Sequence, residues 1–516
     1  MATFTATKVL DAWPNTKIVF GFAIAVALGV LLAAYPLASL GVVTVGIALY
    51  GCFQWCRERM EWWQLLVLSA LTPSLILNYG FDNLAVGAGG FKIPAGDLLM
   101  FLALLLVTWQ IGRSAVQNIL IDPPVACLMA LLLMTCCHLL FDVPRYGFYA
   151  IRDGSMFFEA VLLVLGVMWG QDQRRTLLLK RWLFYIFLAN LIYSYTFSWG
   201  DRIKSMSPNV GLFHPVPLIG NYQQNALLLL LGATYFVWIA PSVVRWPRWI
   251  LLLLSAAQLG GLAILQARSM YVGIVVILGV LFIFHENRKL IGFASTIGWG
   301  IGVLLAFLSV ISALGITIQG RMGPIALSFV EEQVKTVLAV GNANTRMSHE
   351  DDRADWYGQV WDRVRSSPTN MVVGEGFGQA LIDFVNEDGI PVRQPHNSSL
   401  TVLARLGFVG LSIWLLFVAI IMARFIRFLR RRSAPERAQV MVLWLFVCFL
   451  LYLLTASVQP TFEFSHGSVP FYFLLGLAIG ILGDSYVSSN HRRFAAAERQ
   501  RVRELQPATS PLRIYE

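Results

Sequence analysis

The sequence predicts an all-α, polytopic integral membrane protein, and its composition and its apolar runs both support this fold class. Hydrophobic residues make up 57% of the 516 residues and charged residues only 13%, whereas soluble domains carry roughly 25% charged residues. The mean hydropathy is +0.66. Apolar runs of about 20 residues, the length that crosses a bilayer as a helix, recur along most of the chain. One helical membrane domain therefore fits better than the three or four soluble domains that length alone would indicate.

Fourteen apolar runs are candidates for spanning helices. Their centres lie near residues 26, 45, 70, 103, 132, 162, 190, 231, 258, 278, 304, 413, 448 and 476. The runs near 162 and 278 are short, so we predict 12 to 14 transmembrane helices. Eleven of the candidates fall within residues 1–318 and three within residues 398–484.

The distribution of basic residues predicts the orientation. With both termini in the cytoplasm, the inner segments hold 25 Lys and Arg, against 6 in the outer segments apart from one long loop. Basic residues accumulate on the cytoplasmic side of membrane proteins. The net charge of +10 is therefore interpreted as orientation and contact with membrane lipids, with no nucleic acid as a partner. Residues 485–516 form a basic cytoplasmic tail.

The long segment 319–397 is predicted to lie on the extracytoplasmic side and to have structure of its own. An amphipathic helix is expected from Ser348 to Pro368, because Trp356, Val360 and Val364 recur at helical spacing. Residues 371–373 (Met-Val-Val) are expected to form a short buried strand. The following Gly-Glu-Gly-Phe-Gly, residues 374–378, predicts a tight turn at which the backbone passes close to another element.

His396 is the strongest catalytic candidate, because it sits at the mouth of a membrane helix that begins near Ser398. Asn397 can cap that helix. A neutral imidazole, with an ordinary pKa of about 6.5, can take the proton of an attacking hydroxyl. The alternative is an interfacial histidine that forms local hydrogen bonds only.

Several arginines on the predicted outer face form a second set of candidates. Arg268 lies in a very short turn between two apolar runs, and a charge held at the membrane edge is costly and often functional. Arg346 and Arg353 belong to the long loop, and Arg353 falls in the first helical turn, where a cation opposes the helix dipole. Arg152, beside Asp153, is either part of a surface ion pair or a ligand contact.

A third candidate region surrounds Asn221, in the run Gly-Asn-Tyr-Gln-Gln-Asn-Ala of residues 220–226. Its amides could bind sugar hydroxyls or cap the helix that follows. No D-x-D or H-E-x-x-H motif is present, so neither a metal nor another cofactor is predicted. One base and several arginines suit the displacement of a diphosphate, whose charge bidentate guanidinium contacts can hold.

Together these motifs resemble the O-antigen ligase and Wzy polymerase superfamily of polytopic glycosyltransferases. His396-Asn397, then nine residues, then Gly407 and Gly410 follow the pattern H-[N/S/Q]-x9-G-x-x-[G/T/Y] of the ligases. The glycine-rich turn, the arginine at 268 and residues 213–226 also resemble family segments, the last with an insertion. The resemblance runs from about 205 to 482. Two departures exist: Arg353 is followed four residues on by Tyr357 where the ligases have Leu, and Arg405 stands where acidic or neutral residues are usual.

The resemblance implies metal-independent, inverting transfer of a glycan from undecaprenyl diphosphate on the periplasmic face of the bacterial inner membrane. It implies that His396 is the general base or orients the acceptor hydroxyl, and that Arg268 and Arg353 bind the diphosphate. Arg346 is a weaker candidate for the same role, and Asn397 would support the histidine. The acceptor could be a lipid A–core sugar, another repeat unit or a protein side chain. The alternative class is a transporter or flippase of a lipid-linked glycan.

Overall fold

The computed structural model describes residues 60–88, 91–211, 215–313, 319–320, 323–324, 349–385, 391–431 and 435–483. Its α-helices, in chain order, are α1 Trp62–Leu77, α2 Tyr79–Asp82, α3 Ala95–Leu120, α4 Pro123–Tyr146, α5 Phe148–Asp153, α6 Ser155–Phe158, α7 Leu163–Gly170, α8 Gln173–Tyr195, α9 Gly200–Met206, α10 Asn225–Trp238, α11 Arg248–Leu265, α12 Arg268–Ile283, α13 Asn287–Ala313, α14 His349–Arg365, α15 Pro368–Val373, α16 Ser398–Leu429, α17 Glu436–Ala456 and α18 Ser465–Gly483.

The all-α membrane fold is confirmed. Six helical segments are long and apolar enough to cross a membrane, and five shorter apolar helices accompany them. The twelve predicted centres from 70 to 476 all fall within helical segments, the one near 162 in the 3-10 turn Glu159–Leu162 that leads into α7. The two predicted spans near residues 26 and 45 lie outside the described residues. Within the described residues, strands are confined to four two-stranded antiparallel hairpins. Their strands are β1 Ala85–Ala88, β2 Phe91–Pro94, β3 Asn209–Val210, β4 Val216–Pro217, β5 Gln319–Gly320, β6 Gly323–Pro324, β7 Phe384–Val385 and β8 Pro391–Val392.

Helix α14 is the amphipathic helix predicted for the long loop. Trp356, Val360 and Val364 are all buried and form a small apolar cluster of their own. Their partners include Leu403 and Ala404 of α16. The apolar stripe therefore attaches the loop to the first turns of a membrane helix, as its spacing predicts.

The glycine-rich turn after α15 packs backbone against backbone, which confirms its predicted role. Gly374, Gly376 and Gly378 all have positive φ angles. A Cβ on Gly374 would lie 2.2 Å from the carbonyl oxygen of Arg405. Gly407, with φ of 65°, kinks α16 at the same place, and its Cβ would lie 2.4 Å from the carbonyl of Val372. Only residues without a Cβ allow this contact.

The strand predicted at residues 371–373 is wrong, because these residues belong to helix α15. Met371 and Val372 are exposed, at 39% and 52%. Ser367 caps this short helix by accepting a hydrogen bond from the Asn370 amide at 3.0 Å, and Pro368 follows at its first position, where proline is favoured. The local capping signal therefore outweighs the β-propensity of the two valines.

Candidate functional site

His396 lies two residues before α16 begins at Ser398, and its backbone conformation is unusual for a histidine. Its φ angle is 54°, in the left-handed region that costs an ordinary residue roughly 1–2 kcal/mol. Its ring meets the ring of Trp356 edge to face, with 5.1 Å between centroids. The tryptophan from α14 thus holds the imidazole at the junction between the loop and the membrane helix.

Arg353 lies one helical turn before Trp356 on α14, and its charge acts on His396. Burial, and then the positive charge of Arg353, lower the pKa of His396 to about 4. The imidazole is therefore neutral at physiological pH and can accept a proton. The structure brings these two predicted residues together, although 43 positions separate them in the chain.

Asn397 caps α16, as the sequence predicts. Its side-chain oxygen accepts a hydrogen bond from the Leu400 amide at 3.1 Å. The next residue, Ser398, donates to the carboxylate of Glu463 at 2.7 Å. Burial raises the pKa of Glu463 and the hydrogen bonds from Thr401 and Ser398 oppose that rise. The start of α16 is thus fixed both by its cap and by the segment between α17 and α18.

Arg268 is the first residue of α12, and only Gln266 and Ala267 separate it from α11. Gln266 is buried and adopts a left-handed conformation, so the predicted tight turn is confirmed. Arg268 itself is half-buried. Its guanidinium adds to the partial positive charge that a helix N-terminus already carries, a combination suited to anions.

A cavity of about 280 Å³ opens beside this turn. Ala267 and Ser269, the two neighbours of Arg268, line it. Lys204, Gln223 and Gln459 contribute polar groups from three other segments. The cavity therefore combines basic and amide groups next to Arg268, and of these three polar residues sequence reasoning had considered only Gln223.

Asn221 lines the same cavity and does not cap α10, whose N-cap residue is Gln224. Its side-chain nitrogen donates to the carbonyl of Pro217 at 2.6 Å. Asn225 is used differently, since its buried amide bonds Asn78 at 2.7 Å and Asn190 at 2.5 Å. The structure thus separates a cavity-lining amide from a packing amide within one motif.

Asp153 is only 7% exposed, so its carboxylate does not lie at the surface, as the interpretation of Arg152 and Asp153 as a surface ion pair assumed. The carboxylate of Asp153 accepts hydrogen bonds from Arg393 and Arg405, each at 2.9 Å. Arg405 also donates to the carbonyls of Gly376 and Gln379. Arg405, which departs from the usual family residue, is therefore the group that ties the glycine-rich turn to α16. Burial lowers the pKa of Arg152 and the nearby Asp153 opposes this shift.

Four carboxylates converge on the segment 461–468, and no sequence motif signalled this. Ser465 donates to Asp97 at 3.2 Å and to Glu159 at 2.7 Å. The backbone amide of His466 donates to Asp82 at 2.9 Å, and Glu463 completes the set. The other three acids come from distant segments, so no short spacing rule could find them. The available signal was the group of polar residues Glu463, Ser465 and His466 at the start of α18, after the apolar helix α17. The described residues contain no group of three or more His, Cys, Asp or Glu able to hold a metal ion.

Two predicted site elements lie outside the described residues: Arg346, and Phe213-His214 of the segment that precedes Asn221. Of the other predicted residues, His396, Arg353 and Asn397 gather at the start of α16. Asn221 lines the cavity beside the turn that carries Arg268. Gln459, which lines that cavity, is only four residues from Glu463. The Cα atoms of these two residues are therefore at most roughly 14 Å apart.

The described fold is that of a polytopic helical membrane protein with a structured loop packed on one of its helices. Residues 249–415 match a family model described as O-antigen ligase, and this match supports the resemblance to the O-antigen ligase/Wzy-type superfamily. Arg268, α14, His396 and Gly407 all fall inside the matched range. No curated protein matches the chain. The family match supports a membrane glycosyltransferase-like function, acting in general terms on a lipid-linked glycan and an acceptor.

Proposed function

We propose that the protein transfers a glycan from undecaprenyl diphosphate to an acceptor hydroxyl, at the outer face of the bacterial inner membrane. The observation that carries this proposal is a neutral His396, packed against Trp356 beside the cation Arg353 and directly before the helix cap Asn397, inside the segment that matches the ligase family. The orientation rests on the distribution of basic residues, with residues 319–397 outside and both termini inside.

In the proposed step the acceptor oxygen attacks the anomeric carbon while the bond from that carbon to the diphosphate oxygen breaks. A single displacement of this kind inverts the anomeric centre. The proton of the acceptor hydroxyl passes to the free nitrogen of His396. The diphosphate leaves as an anion, so it needs no general acid.

Arg268 and Arg353 are proposed to hold the diphosphate. Bidentate guanidinium contacts are the strong, charge-assisted form of phosphate binding. Both arginines stand near the start of a helix, where a bound anion removes the unfavourable pairing of cation and dipole. The bound negative charge would also offset the effect of Arg353 on His396 and raise the pKa of the base towards the working pH.

Asn221 and Arg152 are proposed to contact the glycan, and Asn221 has the clearer position because it lines the cavity beside Arg268. Amide groups suit the paired donor and acceptor character of sugar hydroxyls. Arg346 remains a weaker candidate for the diphosphate. The acceptor is either a lipid A–core sugar or a further repeat unit.

The test of the base is His396→Ala in a membrane transfer assay with a lipid-diphosphate glycan donor. We expect the turnover rate to fall by roughly 10²–10⁴-fold, the usual contribution of a general base. His285→Ala is the matched control, since His285 also has a positive φ, 56°, in a turn between helices, but lies at the opposite end of α12 from Arg268. A His396→Ala variant that transfers glycan at the wild-type rate would contradict the assignment of His396 as the general base.

Complementation identifies the acceptor. The chain would be expressed in one bacterial strain that lacks its ligase and in another that lacks its polymerase, and the surface glycans would be separated on a gel. A restored ladder on lipid A means a ligase, and extension of single repeats means a polymerase. Rescue of neither strain would contradict both O-antigen acceptors.

A further inference from the structure

A second cavity lies at the far end of α16 from His396. Its volume is about 910 Å³, three times that of the cavity beside Arg268. From Ser398 to Arg427 the helix rises by roughly 40 Å at about 1.5 Å per residue. That distance matches a bilayer with its headgroup layers, about 40–45 Å, so this cavity opens at the opposite headgroup layer.

One wall of the cavity carries three arginines, Arg424, Arg427 and Arg431. Arg424 and Arg427, three residues apart, lie on one face of the last turns of α16, and Arg431 follows two residues after that helix ends at Leu429. Arg424 is neutralised by Asp122, which accepts two hydrogen bonds from its guanidinium, one of them at 2.7 Å. Arg427 and Arg431 are exposed, and no carboxylate among the described residues forms an ion pair with either.

The remaining wall is largely apolar. Ile119 belongs to the last turn of α3, Ile121 to the connection between α3 and α4, and Leu482 to the last turn of α18. Ile121 is 74% exposed, which is costly in water but not against an acyl chain. Two arginines without a carboxylate partner thus lie beside an exposed apolar wall. This arrangement suits an amphiphile with an anionic headgroup and a hydrocarbon chain.

We propose that this cavity binds an anionic phospholipid of the surrounding bilayer. Arg427 and Arg431 hold its phosphate diester, and Ile119, Ile121 and Leu482 contact the first part of an acyl chain. Asp122 limits the positive charge of the site because its carboxylate forms an ion pair with Arg424. The site is independent of the transfer chemistry proposed above, because it stands at the other end of the bundle.

The test is native mass spectrometry of the purified full chain in detergent, after addition of dioleoyl phosphatidylglycerol or dioleoyl phosphatidylcholine. We expect the wild type to retain phosphatidylglycerol in preference to phosphatidylcholine. Arg427→Gln with Arg431→Gln should weaken that retention by roughly tenfold or more, since each basic residue near a lipid surface contributes about 1 kcal/mol. Arg174→Gln with Arg437→Gln is the matched control, because both are exposed at the same end of the bundle and do not line the cavity.

Asp122→Asn supplies a test that removes no cation. It frees Arg424, and Asp122 makes no side-chain cap for α4, so the helix start is not expected to change. This variant should retain more phosphatidylglycerol than the wild type. Retention by the double arginine variant equal to that of its control, or equal retention of the two lipids by the wild type, would overturn the proposal.

Discussion

At His396 a strained backbone, a half-buried ring and a neighbouring cation coincide in one residue. Strain of this kind persists only where the surroundings impose it, and it clusters at functional sites. Here the surroundings are Trp356 on one side and the cap of α16 on the other. The geometry therefore gives the proposed base a fixed position before any substrate binds.

The depressed pKa of His396 makes a prediction about pH. Because that pKa is about 4 in the free protein, the base is unprotonated above roughly pH 5, and kcat/KM should fall only as the pH drops through about 4. Arg353→Gln removes a charge that lowers this pKa, so the acid limb of the profile should move to higher pH. Initial transfer rates measured between about pH 3.5 and 8 test this.

The position of the limb, rather than the height of the profile, is the informative quantity, because Arg353 is also proposed to bind the diphosphate. Arg365→Gln is the matched control, since Arg365 ends the same helix and stacks on Trp361, with 4.6 Å from its guanidinium carbon to the ring centroid. An acid limb that stays in place in Arg353→Gln would contradict the electrostatic coupling.

Arg268→Ala should weaken binding of a lipid-diphosphate donor by roughly 10–100-fold, the equivalent of one lost charged hydrogen bond of about 1.5–3 kcal/mol. A donor analogue whose headgroup is a neutral ester should be affected far less. The matched control is Arg248→Ala, because Arg248 is likewise the first residue of a membrane helix but stands at the other end of α11. Equal donor affinity in the two variants counts against the diphosphate clamp.

At the scale of elements, the kink of α16 explains the spacing between His396 and Gly407. Gly407 has φ of 65° and lies against the backbone of Val372 and Gly374. The kink admits the end of α15 and the glycine-rich turn, which Arg405 then ties to Asp153. The glycines are thus part of the joint that fixes the loop relative to the helix carrying His396.

Gly407→Ala is expected to destabilise the protein by about 2 kcal/mol or more, because it combines the left-handed penalty with an overlap against backbone. Thermal unfolding of the detergent-solubilised protein measures the effect. Gly279→Ala is the control, since Gly279 lies inside α12 and a Cβ added there would meet no atom within 4 Å. Alanine there should leave the midpoint unchanged or raise it, so equal midpoints for the two variants would contradict the role of the kink.

At the scale of the whole molecule, the orientation can be tested directly. Ser366→Cys places a thiol at the exposed end of α14, and Arg437→Cys places one at the start of α17. A membrane-impermeant maleimide added to intact cells should label the first above the level of the unsubstituted chain and leave the second at that level. Labelling of Arg437→Cys alone would invert the proposed topology.

Periodicity and composition determined much of this protein. The helical segments, the buried stripe of α14 and the cap at Asn397 follow from local rules, because helix length, amphipathic spacing and capping depend on residues within a few positions of each other. His396 and Arg268 were selected by their places at helix ends, which a hydropathy pattern locates. The strand predicted at 371–373 failed because β-propensity is weak against a well-formed helix cap.

The tertiary structure alone decided which distant groups meet. The charge of Arg353 acts on His396, and Arg405 donates to Asp153. Asp82, Asp97, Glu159 and Glu463 likewise gather on one segment only because separate helices pack side by side. Burial of polar groups in a membrane bundle requires partners, but the sequence does not say which helix supplies them. The positions of helices depend on residues close together in the chain and can be predicted from one sequence. The pairing of polar side chains between helices depends on packing across the whole bundle.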